Sequence, residues 1–258
     1  MDRHRFESEV QLHLQGLASD VTMDLRAQFL RDQVVKLGQL VPPNIVSQIQ
    51  SEARNLLAQH GKRRDLTLKA TGGTPRSYTS VDRDNIHHHN GSIRSFFESE
   101  AVREYLGDIV GEPVFRVPYE PEEYIINSQN QSGDTHGWHF DDYTYALIWL
   151  VDAPGPFDGG RVEFVNFTEW DKAAPREQLI SLLCERTVQS LHVPAGSCYI
   201  MKARYALHRV APILNDATRT VIVFTFASQA DLNDQTISHE TMEQIYDLPE
   251  HTQLLESV

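Results

Sequence analysis

From about residue 113 to residue 228 the chain is a succession of short segments rich in β-branched and aromatic residues: PVFRVP, EEYIINSQ, YALIWLV, RVEFVNF, TVQSLHV, SCYIM and RTVIVFTFA. Turn formers separate them, among them GPFDGG (Gly155 to Gly160) and PAGS (Pro194 to Ser197). Short strands in this density, with one helical insertion over roughly residues 168–185, predict an antiparallel sandwich or barrel. Upstream the texture differs. The first sixty residues favour helix, with VVKL (Val34 to Leu37) as a short strand. In NIVSQIQSEARNLLAQHG the apolar residues Ile45, Ile49, Leu56 and Leu57 recur at helical spacing, with Pro42 and Pro43 at the start and Gly61 at the end. The expected architecture is α+β, mainly β, in a single domain. Residues 1–112 form a mostly helical layer, 113–228 the β core, and 229–258 a tail whose helix starts near His239. The triplet His87-His88-His89, inside DRDNIHHHNGS, reads as a surface loop.

Composition narrows the functional classes. The chain has 258 residues, 40% hydrophobic and 23% charged, enough to bury a core. Its 36 acidic against 23 basic residues give a net charge of −13, which argues against generic binding to nucleic acid or anionic lipid. The same acidity suits a small cationic ligand. Two cysteines, Cys184 and Cys198, without CxxC spacing, exclude a disulfide framework or zinc ribbon. Cys198 reads as a buried filler, Trp149 and Trp170 as core, and Trp138 as packing on the outer face of its strand. The start, MDRHRFESEVQLHL, has no apolar signal core, and YALIWLV is too short to cross a bilayer. A cytoplasmic setting is expected. The oligomeric state, a homodimer included, is left open by the sequence.

The chemistry concentrates in THGWHFDDYTYALIWL, Thr135 to Leu150. His139 and Asp141 are two residues apart, so on a strand both side chains point to one face. A metal site needs a third ligand, and His192, His208, His239 and His251 lie downstream. His208, in RYALHRV, is followed eleven residues later by Arg219, which opens RTVIVFTFA. Two histidines and one carboxylate on one face of an octahedron leave positions open, the arrangement of non-haem Fe(II) oxygenases. A buried guanidinium supplies the planar fork that a cosubstrate carboxylate requires.

In this order and spacing the chain resembles the Fe(II)/2-oxoglutarate-dependent oxygenases, from about residue 29 to residue 228. FDGGRVEFV (Phe157 to Val165) is similar to the Gly-Gly turn and strand that many members carry between HxD and the distal His. FLRDQVVKLGQLVPP (Phe29 to Pro43) is similar to their opening strand and helix. The resemblance implies a double-stranded β-helix, or jelly roll, with N-terminal helices packed on it and a C-terminal helix. It implies Fe(II) on His139, Asp141 and His208, 2-oxoglutarate paired with Arg219, and O2 as co-substrate. R…E…HGWHxDD looks like the branch containing radical halogenases of free amino acids, particularly lysine, and their hydroxylating relatives. The halogenases carry a small residue where this chain has Asp141, so the resemblance implies hydroxylation, coupled to decarboxylation of 2-oxoglutarate to succinate. The branch's substrate residues match Arg76, Glu122 (or Glu123), His136 and Asp142. After Arg219, Val223 departs from the polar residue expected and Thr225 is the remaining polar candidate. A cationic amino acid such as lysine is the expected substrate. The alternatives are an oxygenase of a protein side chain or other small metabolite, and a cupin-like metal-binding module without redox chemistry.

Overall fold

The computed structural model describes residues 3–17, 19–38 and 40–248. Helices α1 (Arg3–Gln15) and α2 (Ser19–Asp32), strand β1 (Val34–Leu37) and helix α3 (Pro43–His60) open the fold. A hairpin of β2 (Lys62–Leu68) and β3 (Thr74–Val81) follows, then α4 (Arg83–His89), α5 (Ser92–Glu98) and α6 (Glu100–Val110). The β core runs through β4 (Phe115–Arg116), β5 (Tyr124–Gln129), β6 (Thr135–His139), β7 (Tyr145–Asp152) and β8 (Val162–Asn166). Helix α7 (Pro175–Glu185) precedes β9 (Gln189–Leu191), β10 (Cys198–Met201), β11 (Ala206–Val210) and β12 (Arg219–Ala227). Helices α8 (Gln229–Asn233) and α9 (Glu240–Tyr246) follow.

The strands pair antiparallel in the order β1-β10-β7-β12-β5-β3-β6-β11-β8-β9, with β2 on β3 and β4 on β12. Strand β3 is the corner of this path. Its Thr79–Val81 end pairs with β5, whereas Arg76 and Ser77 pair with β6, so the sheet curls over itself there. The curl is that of a jelly roll, as the sequence led us to expect.

Two-residue alternation decides which side chains meet in the core. On β7, Tyr145, Leu147, Trp149 and Val151 pack with Ile45 and Ile49 of α3 and Phe96 and Phe97 of α5. Ala146, Ile148 and Leu150, between them, pack inside the curl with Tyr199, Met201, Val221, Val162 and Phe164. The same alternation on β12 sends Ile222, Phe224 and Phe226 to the helices and leaves Arg219, Val221, Val223 and Thr225 facing inward. Each large apolar side chain so buried contributes about 1.5–3 kcal/mol. A slip by one residue would exchange the two faces, which pins the register.

Several local expectations are revised. Residues 62–81 lie within the part read as mostly helical, yet they form the β2–β3 hairpin. Its sequences, KRRDLTL and TPRSYTSV, are polar because β2 covers an edge with one face in water. The histidine triplet is not in a loop. Asp82 accepts a hydrogen bond from the Asn85 backbone N–H at 2.9 Å, capping α4, and His87 Nδ1 lies 3.0 Å from the Tyr124 hydroxyl. The helical insertion is shorter than expected, and PVFRVP and TVQSLHV yield only the brief β4 and β9. Gly61 does end α3, but in an extended conformation, φ −60° and ψ 124°, and not a left-handed one. A Cβ there would lie 2.5 Å from the Leu57 carbonyl oxygen and 2.9 Å from Thr79, so the position needs glycine for room. Trp149 and Cys198 are fully buried. Trp138 is partly buried beside Phe140, with the Arg209 guanidinium 4.8 Å from its ring centroid.

Candidate active site

One cavity inside the curl gathers His136, His139, Asp141, Asp142, His208, Arg76, Glu122, Arg219 and Thr225. The residues that the resemblance implies for the metal, cosubstrate and substrate therefore reach the same space, with Glu122 rather than Glu123 among them. Among the downstream histidines, His192 instead bonds the Pro154 carbonyl. His239 pairs with Glu122, and His251 lies outside the described residues.

One end of the cavity, which we call the inner end because the strands of the curl build it, is a three-donor face. His139 and His208 are directly paired across β6 and β11. Each donates its Nδ1–H to a backbone carbonyl two residues earlier, His139 to Gly137 at 2.7 Å and His208 to Ala206 at 2.8 Å. Those bonds fix the tautomer and turn both Nε2 lone pairs the same way. They converge on Asp141 Oδ1, at 3.4 Å from His139 and 3.5 Å from His208. Ligand atoms of all three residues lie within 4.8 Å of one another. Burial, then His136 and His208, holds the His139 pKa well below its ordinary value, so the imidazole is neutral as a metal ligand must be. The donor chemistry, two imidazoles and one carboxylate on one face, fits Fe(II).

A bulge brings His136 to the same wall. His208 and Val210 are two residues apart on β11, but their partners on β6, His139 and His136, are three apart. The extra residue lets positions that strict alternation would separate face one cavity. The His136 and His139 rings stack with centroids 4.1 Å apart and planes 5° from parallel. At the bulge Gly137 passes close to β3, where a Cβ would sit 2.8 Å from the Pro75 carbonyl oxygen. This register is set between strands and has no local signature in the chain.

Two buried guanidiniums line the cavity, and neither has a carboxylate partner among the described residues. Arg219, 3% exposed, donates to Gln129 Oε1 at 3.4 Å and is hydrogen-bonded with Tyr199. Arg76 is fully buried; Nη1 reaches Thr74 Oγ1 and the Pro75 carbonyl, each at 3.1 Å, while Nε has no partner. Burial pushes its pKa down to about 10, still a cation near neutral pH. Isolated buried charge is costly, and an arriving carboxylate relieves it. The Arg219 fork beside the three-donor face fits the distal carboxylate of 2-oxoglutarate.

The outer end is acidic. Glu122 stands at the end of a single 3-10 turn before β5, and its Oε1 lies 2.8 Å from His239 Nδ1. Burial, then Asp142 and Asp141, raises its pKa well above the usual carboxylate range. Glu123, the other alignment considered, points elsewhere: Arg83 donates to it at 2.9 Å and Arg116 also bonds it. Asp142 accepts from Lys172 Nζ at 3.1 Å; burial raises its pKa to about 6 while Lys172 pulls the other way. Thr241, Met242, Ile245 and Tyr246 of α9 close the side of the cavity. Sequence reading did not single out the roles of His239, Lys172, Tyr78, Asn127 or α9. Of these, Asn127 and Tyr78 had an available signal, since alternation on β5 and β3 turns both inward.

The curled sheet has the fold of solved Fe(II)/2-oxoglutarate oxygenases, and its His-Asp-His face offers the donor set that such chemistry requires. Solved structures share the fold at low identity. The epimerase SnoN from nogalamycin biosynthesis, in complex with Fe3+, alpha ketoglutarate and nogalamycin RO, superposes with TM-score 0.60 at 14% identity, covering 82% of this chain and 85% of its own. AviO1 from Streptomyces viridochromogenes Tue57 gives 0.63 at 18% identity, covering 83% and 98%. A prolyl hydroxylase from Trichoplax adhaerens, solved with a hypoxia inducible factor oxygen degradation domain peptide fragment, gives 0.59 at 11%, covering 84% and 94%. No curated protein matches the sequence. Residues 17–247 match the profile of halogenase D, and the chain belongs to that family. Among the described residues no helix is long and apolar enough to cross a membrane.

Proposed function

We propose that this chain hydroxylates a free amino acid with a cationic side chain, lysine or a near homologue. The observation that carries the reading is the polarity of the cavity: Arg76, buried without a carboxylate partner, shares it with the acids Glu122 and Asp142. An α-amino acid with a distal ammonium supplies the missing charges in that order. Its carboxylate pairs with Arg76, and its ammonium groups meet the acidic side chains. Helix α9 bounds the space, which favours a small molecule over a polypeptide.

When bound, Fe(II) with 2-oxoglutarate and O2 supplies the oxidant: O2 and 2-oxoglutarate are consumed, succinate and CO2 leave, and one oxygen atom enters a C–H bond. The chain's own residues position the reactants. His139, Asp141 and His208 hold the metal, and Arg219 orients 2-oxoglutarate through its far carboxylate. Arg76, Glu122, His136, Asp142 and Thr225 fix which carbon faces the metal. Asp141 decides between oxygen and halogen. Its carboxylate stands within 3.5 Å of both imidazoles, at the corner that halogenases leave open for chloride. Membership of a family named for halogenation is thus compatible with hydroxylation here.

Succinate formation by the purified protein with Fe(II), 2-oxoglutarate and a panel of lysine, ornithine, arginine and norleucine tests the substrate class. The expected result is stimulation by one of the cationic amino acids and little by norleucine. Equal or absent stimulation across the panel would overturn the reading.

A further inference from the structure

Asp142 is a wall between two spaces. It lines the main cavity, and it also lines an outer cleft with Glu169, Trp170, Arg204 and Tyr205. Lys172 belongs to the cleft alone, in the segment between β8 and α7, and reaches Asp142 Oδ1 from that side at 3.1 Å. Its ammonium also sits 4.5 Å from the Trp170 ring centroid. The two partners are unequally buried: the Lys172 side chain is 46% exposed, the Asp142 side chain 7%. Two of the neighbouring charges are engaged elsewhere, while Asp141 and Glu169 also line the cleft. Arg204 is held by Asp231 at 2.8 Å and Asp234 at 2.5 Å, and Glu122 faces His239.

A buried carboxylate next to a metal-binding face needs a counter-ion, and here the chain provides one that is loosely held and half in water. An ammonium already on one side of Asp142 weakens what the carboxylate offers to a second ammonium inside the cavity. We propose that Lys172 is a specificity-determining residue: by holding Asp142 from the cleft, it sets how strongly the cavity prefers a cationic substrate side chain over a neutral one. This rests on the amino acid reading above and adds a residue to it. Lys172 touches neither substrate nor metal. Its hydrogen bond is to Asp142, with a longer-range attraction to Glu122, so the proposal is tested by removing the Asp142 carboxylate.

The test is calorimetric titration of the anaerobic protein, with Fe(II) and 2-oxoglutarate present, using L-lysine and L-norleucine, which is lysine without its terminal ammonium. Lys172→Met keeps the aliphatic stem on Trp170 and removes the charge. The ratio of lysine to norleucine affinity is expected to rise about tenfold in Lys172→Met. It should stay near wild type in Lys172→Arg, and the rise should vanish when Asp142→Asn is combined with Lys172→Met. An unchanged or lower ratio in Lys172→Met, or a rise that persists without the Asp142 carboxylate, would overturn the proposal. Wild-type titration separates the two levels: if the wild type binds lysine no better than norleucine, the cationic-substrate reading falls and this proposal with it.

Discussion

The two ends of the cavity are built differently. At the inner end, His139 and His208 are set on β6 and β11 and Arg219 opens β12, with Asp141 just past β6; backbone pairing fixes their spacing. At the outer end, Glu122 stands on a 3-10 turn, Asp142 on a loop, and His239 and Lys172 on connecting segments. Strand registers tolerate little change, because a slip turns every side chain to the other face. Loops can be rebuilt without disturbing the sheet. The donor face is thus held by the curled sheet, whereas the acidic side chains proposed to grip the substrate stand on a turn and a loop, with Arg76, His136 and Thr225 on strands.

Substitutions at the two ends should therefore fail in different ways. The largest effect belongs to the inner end: Asp141→Gly should lower hydroxylated product by more than about 100-fold, measured by mass spectrometry, because one of three metal donors is removed. Next, Arg219→Ala should raise the 2-oxoglutarate concentration needed for half-maximal succinate formation by about 100-fold, the loss of a buried ionic fork. Lysine affinity, read by calorimetry, should change far less. At the outer end the pattern reverses. Glu122→Gln keeps the side chain's shape, and it should raise the KM for lysine about tenfold while leaving norleucine binding and the 2-oxoglutarate requirement near wild type.

This same division explains what could be read from sequence. In RTVIVFTFA, alternation alone assigns Arg219 and Thr225 to the inside and Phe224 to the helices, as the structure has them. His139, Asp141 and His208 were legible as a set because HxD, a distal His and an Arg eleven residues further on follow a recognisable order and spacing. Polar edge segments were harder. KRRDLTL carries little apolar pattern, so the β2–β3 hairpin escaped, and with it the strand register that seats Arg76 opposite His136. Asp82, three residues before Asn85, was an available capping signal for α4 that the adjacent histidines obscured. The β6 bulge and the approach of Lys172 and His239 depend on contacts between segments distant in sequence. No local pattern encodes them.

The smallest expected effect lies in the shell outside the outer end. Bonds from Thr236, then the Arg204 guanidinium, lower the Asp234 pKa to about 2. A carboxylate with a depressed pKa stabilises the fold when ionised. Its contribution is complete above the ordinary range near pH 4 and is lost as pH falls from about 4 to about 2. Thermal melts across that window should show Asp234→Asn less acid-sensitive than wild type, with the two converging at the lowest pH. A matching slope in both proteins would mean that the Arg204–Asp234 contact adds nothing.

On the function proposed above, Asp141 closes the metal face to halide and commits the site to oxygen transfer. The most direct test is the mass of the product formed from the stimulating amino acid with Fe(II), 2-oxoglutarate and O2 in excess chloride. The account predicts a product heavier than the substrate by one oxygen atom, with no chlorinated species. A chlorinated product from the unaltered protein would contradict it.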